Sequence, residues 1–284
     1  MFYCFVIRKK VIAAFLLVLL FCSASIPIYC VSIADSREGI PLPVIMYHSV
    51  LKNTGPEKYI ISVSEFENDM KYLKENGYTA VMPSDLVKYV YEGQPLPEKP
   101  VMITFDDGFL NNASYAVPIL QENGMKGVIS IVGSYTERYS ENPDRHLNYS
   151  YLTWEDIREL NESGIIEIGN HTYDMHGQNE RKGCKKKKGE SKADYKAALT
   201  ADIGRLQKDL ADKSGVNCTI FTYPFGAISN DSVDIIRDMG FRVSFSCSEK
   251  VSYITNDPEC LYQIGRYNRS GKLSTKEFMK KIEN

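Results

Sequence analysis

Histidine is scarce in this 284-residue chain: only His48, His146, His171 and His176 occur, and none follows position 176. Any imidazole chemistry must come from the sequence up to that point. An excess of either charge is also missing. Thirty-four Lys and Arg against 36 Asp and Glu leave a net charge of −2, whereas general nucleic-acid binders are normally basic. Seven cysteines form no CxxC pair and no dense framework, so no disulfide connectivity for Cys184, Cys218, Cys247 and Cys260 is legible. Beyond residue 40 there is no linker or low-complexity break. With 43% apolar and 25% charged residues, disordered and fibrous classes are excluded.

What is present begins at the N-terminus. Arg8, Lys9 and Lys10 precede VIAAFLLVLLFCSASIPIYCVSIA, a positive region followed by about twenty or more uncharged residues. Ser32-Ile33-Ala34 offers a small-x-small cleavage site, and the run is also long enough to span a bilayer. Residues 1–34 are therefore expected to be a signal peptide or a membrane anchor. The positive-inside rule puts the rest of the chain outside the cytoplasm in both cases. A membrane partner is expected through this segment alone, and nucleic acid is not an expected partner.

From residue 40 onward, apolar runs alternate with helical segments. The junctions ENGY (75–78), ENGM (122–125), ESGI (162–165) and DMGF (238–241) each place Gly where a helix C-cap needs positive φ. In SEFENDMKYLKENG, Phe66, Met70 and Leu73 keep the helical period, and Ser64 with Glu67 makes a capping-box pair. Strands are expected at 43–50, 79–82, 100–105, 127–132, 165–170, 219–224 and 241–247, with LYQIGRY (261–267) as a further candidate. Their near-continuous apolar character suits parallel strands buried on both faces. Alternating strands and helices imply a barrel or a doubly wound sheet, in one catalytic domain over residues 40–284. The basic stretch RKGCKKKKGESK (181–192) reads as a solvated loop or as a surface for an anionic polymer. A long helix, about 193–214, should follow it.

In both architectures, functional groups collect where parallel strands end. The polar residues that end apolar runs are His48 in IMYHSV, Asp106 and Asp107 in ITFDDGF, His171 in IGNHTYDMH, and the Tyr223–Gly226 turn in FTYPFG. A carboxylate with two imidazoles is a three-ligand set that leaves a zinc position open to water. A second carboxylate could then serve as base. The pair His171 and His176 raises a difficulty. Five residues apart, they lie about 140° apart on a helix and on opposite faces of a strand. An irregular turn must present them if they bind together, and Asp174 would be the fallback ligand were that turn regular.

TFDDG, a histidine pair opening with His-Thr, and YPFG, in that order, resemble the polysaccharide deacetylases of the NodB-homology type (carbohydrate esterase family 4), over roughly residues 40–270. The resemblance implies a distorted (β/α) barrel of about seven strands. It implies a metal-dependent N-deacetylase with a divalent metal, zinc being the expected one, held by Asp107, His171 and His176, and with Asp106 as base. Three departures stand out. The commoner pattern spaces its histidines by four, its third motif opens with arginine where this chain has Thr222, and a late histidine normally supplies the acid. These departures, with the MYH of PVIMYHSV, resemble the exopolysaccharide poly-N-acetylglucosamine deacetylase subgroup. On that likeness His48 is the candidate acid, and Tyr223, Pro224 and Phe225 are candidates for substrate or oxyanion binding, through the Phe225 N–H in particular. Arg266 is proposed to replace the absent arginine and pair with Asp106. The substrate expected is an N-acetylated glycan, poly-N-acetylglucosamine first. Peptidoglycan or a chitin oligomer is the alternative, and an inactive carbohydrate-binding relative is a further one.

Overall fold

A computed structural model of the chain describes residues 39–178 and 180–283. The expected leader at 1–34 lies outside the described residues. Seven parallel strands form the main path of the central sheet: β1 (Val44–Tyr47), β2 (Pro100–Phe105), β3 (Gly127–Ile131), β4 (Ile166–Asn170), β5 (Ile220–Thr222), β6 (Val243–Phe245) and β7 (Tyr267–Asn268), and a two-residue strand, Thr79–Ala80, pairs in parallel with the start of β2. Their spatial order is β6-β5-β4-β3-β2-β1-β7, all parallel. The sheet curls as a half-barrel. One bridge, Phe245 to Ile264, ties its β6 edge to the segment leading into β7.

Eight helices accompany the sheet among the described residues: α1 (Val63–Glu75), α2 (Pro83–Glu92), α3 (Val117–Glu122), α4 (Gly133–Glu141), α5 (Trp154–Glu162), α6 (Lys192–Ser214), α7 (Asn230–Asp238) and α8 (Thr275–Glu283). None is long and apolar enough to cross a membrane. The four junction glycines, Gly77, Gly124, Gly164 and Gly240, have φ of 75°, 67°, 68° and 90°, so each ends its helix in the left-handed backbone that the sequence pattern calls for. The long helix starts at Lys192, capped by Ser191. The cap of α1 is a correction. Ser62, two residues before Ser64, accepts from Glu65 N at 3.1 Å, because the short strand Ile60–Ser62 runs directly into the helix. LYQIGRY is another. Pro258–Leu261 is a tight 3₁₀ turn and Gln263 has φ 58°, which interrupts the extended run, so only Tyr267–Asn268 pairs as strand.

Both faces of the strands are covered, and β2 is buried at all six positions. One face, including Ile45, Tyr47, Ile103, Phe105, Ile129, Ile131 and Ile168, packs into the larger core with the helices; the other carries Val44, Met102, Val128, Ile220, Val243 and Phe245. The register aligns Val44 with Met102, Thr104 with Val128, Val128 with Glu167, and Ile220 with Val243. With side chains alternating every residue, this second face continues upward through Met46, Thr104, Ser130, Gly169 and Thr222. Its next positions at the C-terminal rim are His48, Asp106 and His171, with Cys247 two residues beyond the end of β6. Gly169 is required there, since a Cβ would lie 2.5 Å from Ser130 Oγ.

Candidate functional site

The rim residues converge on one cavity of about 560 Å³, lined among others by His48, Asp106, Asp107, His171, His176 and Phe225. Asp107 belongs by alternation to the opposite face from Asp106. It leaves the strand with φ 70°, and its Oδ1 comes to 3.7 Å from His171 Nε2 and 3.2 Å from His176 Nε2. Ligand atoms of Asp107, His171 and His176 all lie within 4.8 Å of one another. Thr172 and Phe225 also have positive φ, 73° and 58°. Three of the four such non-glycine residues described are thus gathered at this rim, a concentration of backbone strain typical of functional sites.

The donor set fits a divalent metal. Asp107 Oδ1 is buried and faces only the two imidazole nitrogens, neither of them aligned as a hydrogen-bond donor to it, an arrangement that a cation shared by the three groups would complete. The buried His171 places Nδ1 2.8 Å from the Thr222 carbonyl, so that nitrogen carries the proton and donates, leaving the Nε2 lone pair free. Burial pushes the His171 pKa down to about 4, which keeps the ring neutral. Burial would lower His176 as well, but the Asp107 carboxylate beside it outweighs this and raises it. Its ring also lies 4.7 Å from that of Phe225 and 4.9 Å from that of His171.

Asp106 is a buried carboxylate with a dedicated cation. Arg266 donates from Nη1 to Oδ1 at 2.7 Å and from Nη2 to Oδ2 at 2.8 Å. The guanidinium is itself fixed by donating to the Ser246 carbonyl at 2.9 Å and to Thr104 Oγ1 at 3.2 Å. Burial alone would raise the Asp106 pKa, but the Arg266 charge, helped by His171, holds it well below the usual carboxylate range. Thr222 occupies the position of the missing arginine and instead hydrogen-bonds Ser130 at 2.7 Å.

His48 follows β1 and lines the cavity, its ring 4.7 Å from that of the exposed Tyr59. Asn112 Nδ2 donates to the His48 carbonyl at 2.8 Å and holds this turn. In the YPFG turn, Phe225 alone lines the cavity. Tyr223 corrects the groove-lining expectation: its ring is fully buried and its hydroxyl accepts from Ser232 Oγ at 3.2 Å. Alternation from the inward Thr222 could have told this, since the next residue must face the helices. Pro224 is buried too, its carbonyl against Gly183. Asp174 is exposed and outside the ligand cluster.

Sequence reasoning missed other wall residues. Lys58, Tyr59, Gln178, Cys247, Glu249 and Asn268 line the cavity, as does Lys182 from the basic stretch. That stretch is pinned rather than loosely solvated. Arg181 pairs with Glu190, Cys184 is buried with its carbonyl accepting from Tyr195 at 2.6 Å, and Lys186 N donates to Ser229 Oγ at 3.0 Å. The four cysteines beyond the N-terminal segment are all free thiols.

The sequence profile of the family described as polysaccharide deacetylase matches residues 93–244. A poly-beta-1,6-N-acetyl-D-glucosamine N-deacetylase of Escherichia coli (strain K12) is 25% identical over 258 residues, covering 84% of this chain and 38% of that protein. The chain thus spans well under half the length of that relative. The Bacillus subtilis (strain 168) protein YxkH, which carries the same family designation, is 30% identical over 208 residues, 69% of each chain. Among solved structures, IcaB from Ammonifex degensii superposes with a TM-score of 0.69 at 26% identity, over 87% of this chain and 98% of that one.

Proposed function

The chain belongs to the polysaccharide deacetylase family, and from that premise we propose that it is an extracytoplasmic, metal-dependent N-deacetylase of poly-β-1,6-N-acetylglucosamine. Residues 40–284 are its catalytic domain in this reading. The observation that carries it is the Asp107–His171–His176 trio beside a second, arginine-held carboxylate on one cavity floor. The preference for this glycan is supported by the E. coli relative's name and by the five-residue histidine spacing. Location outside the cytoplasm is supported by the charge-then-apolar N-terminal segment.

A divalent metal, zinc by the donor set, would be held by Asp107, His171 and His176 and would supply Lewis acidity and an ionisable water. Asp106 takes the proton from the attacking water; Arg266 keeps that carboxylate ionised and aimed. The Phe225 N–H, on a backbone fixed at φ 58°, donates to the carbonyl oxygen as negative charge develops there. His48 returns a proton to the leaving nitrogen, so that the C–N bond breaks to give an amine and acetate. Tyr59, beside His48 and 47% exposed, offers a ring face to the sugar.

The test is release of acetate by the zinc-loaded protein from β-1,6-linked N-acetylglucosamine oligomers, compared with chitin oligomers and peptidoglycan fragments. The β-1,6 oligomer should show the highest kcat/KM. Asp106→Asn should lower kcat by about 10²–10⁴-fold with bound metal unchanged. Acetate from none of these glycans, despite bound metal, would overturn the proposal in favour of a binding role. Near-normal turnover in His48→Ala would remove the acid assignment.

A further inference from the structure

The segment joining the two histidines has no helix or strand of its own. Each of its N–H groups and carbonyls needs a partner from elsewhere, and in its first half, from His171 to Asp174, these partners are protein groups. His171 N donates to the Ile131 carbonyl at 2.9 Å, and Thr172 N to Asn170 Oδ1 at 2.9 Å. Tyr173 N donates to Asp202 Oδ1 at 2.8 Å, and Asp174 N to Asp202 Oδ2 at 2.9 Å. The Thr172 and Tyr173 carbonyls accept from Gly133 N and Ser134 N, at the start of α4, at 3.0 and 2.8 Å. Gly133 must be glycine for this approach, since a Cβ would lie 2.5 Å from the Tyr173 ring.

Asp202 sits on the long helix α6, which also reaches the end of β4 through Ile203 and the turn through Arg205. Asn170 Nδ2 donates to the Ile203 carbonyl at 3.0 Å. Arg205 donates to the Tyr173 hydroxyl at 2.6 Å, and its guanidinium lies 3.5 Å above the centre of that ring. One carboxylate thus spends both oxygens on two successive N–H groups of a turn that carries a histidine at each end.

We propose that Asp202 is a positioning residue for the metal centre: by clamping Tyr173 N and Asp174 N from α6, it fixes the irregular turn that lets His171 and His176, five residues apart, point at Asp107. The inference rests on the metal reading of the site given above. Asp202 touches neither ligand side chain and acts through the backbone between them. Without the clamp, His171 stays anchored through the end of β4 and its Thr222 contact. His176 then loses its fixed distance from His171. The loss falls on metal affinity and ligand geometry first, and outer partners of this kind typically change affinity by about 10–100-fold.

Cobalt(II) binding to the full-length protein, followed by its visible absorption and by competition with a chelator, tests this directly. Asp202→Ala should weaken cobalt binding by about 10–100-fold and alter the band shape, with cooperative thermal unfolding retained. Kcat should fall while KM for the oligomer changes little, because substrate is met by other residues. Asp202→Asn keeps the size and one acceptor, so it should give a smaller shift, and it carries the test if the alanine variant does not fold. Asp212→Ala, at an exposed position on the same helix, should change nothing. Unaltered cobalt affinity and spectrum in both Asp202 variants would overturn the clamp. No cobalt binding to the unsubstituted protein would overturn the metal reading and the clamp together. Weakened cobalt binding in the variants, with no acetate from any glycan, would support the clamp and overturn only the proposed activity.

Discussion

At the scale of single residues, the ion pair between Arg266 and Asp106 dominates. Both side chains are almost wholly buried, at 0% and 4% exposure. Removing one partner of such a pair leaves an uncompensated charge, at a cost of about 3–5 kcal/mol. Arg266→Met should therefore lower unfolding stability by that order in denaturant titrations at pH 7. The sign with pH follows from the depressed Asp106 pKa. The stabilisation is complete above the unfolded carboxylate pKa, about 4, and fades as pH falls through the much lower folded value. In the variant the Asp106 pKa rises, so the acid limb of the pH–rate profile should move to higher pH. A variant as stable as the parent, with an unmoved acid limb, would contradict this account.

The same pair shows what a linear reading captures and what it loses. Asp106, Asp107, His171 and His176 stand in short motifs, so their grouping was legible from TFDDG and from polar residues ending apolar runs. Arg266 lies 160 positions from Asp106, in a segment whose strand character is confined to two residues; its place after an expected strand and the absence of arginine at Thr222 were the signals that pointed to it. Family matching stops short of both ends of the site, since residues 93–244 include neither His48 nor Arg266. Asp202 left no local signal, because an aspartate within a polar-faced helix looks like any solvated one.

At the scale of elements, α6 couples the outer layer to the site. Its last turn is fixed by Lys213, which donates to Glu137 of α4 at 2.7 and 2.9 Å. Glu137 in turn accepts from the Trp154 indole of α5 at 2.7 Å. The hydrogen bond from Lys213 lowers the Glu137 pKa, so the link stabilises above the unfolded glutamate pKa, about 4.3, and is lost as pH falls through the folded value. Partial exposure and solvent screening limit it to about 1 kcal/mol or less. Lys213→Met should accordingly lower the Tm modestly at pH 7, and the difference should shrink toward zero below pH 4. A difference that persists undiminished at pH 3 would assign the effect to packing of the lysine stem on Trp154 instead. The element pattern itself was largely readable, because glycine stops and apolar runs are local. The Ser62 cap and the broken LYQIGRY run were not, since they depend on where a strand hands over to a helix and where a 3₁₀ turn intervenes.

For the whole molecule, the segment from Ile264 to Arg269 closes the architecture. It is bonded to β6 through Ile264 and to β1 through Tyr267 and Asn268, while Arg269 N donates to the Met46 carbonyl at 2.9 Å. It also carries both of the fully buried arginines among the described residues: Arg266 faces Asp106, and Arg269 donates to the buried Asp69 at 2.7 and 3.1 Å. Order of assembly follows from this. Strands β1 to β6 can align through neighbouring βα units, but two carboxylates in the interior await cations that arrive only with the last strand. Contacts of such long sequence separation form late, because closing the loop costs entropy before it is repaid. A chain ending at Gln263 should keep most of its far-UV helical signal yet lose its sharp thermal transition; a transition at the parental Tm would refute this. The base of the proposed reaction thus gains its counter-charge in the same step that completes the fold, so catalytic competence serves as a timestamp of finished folding.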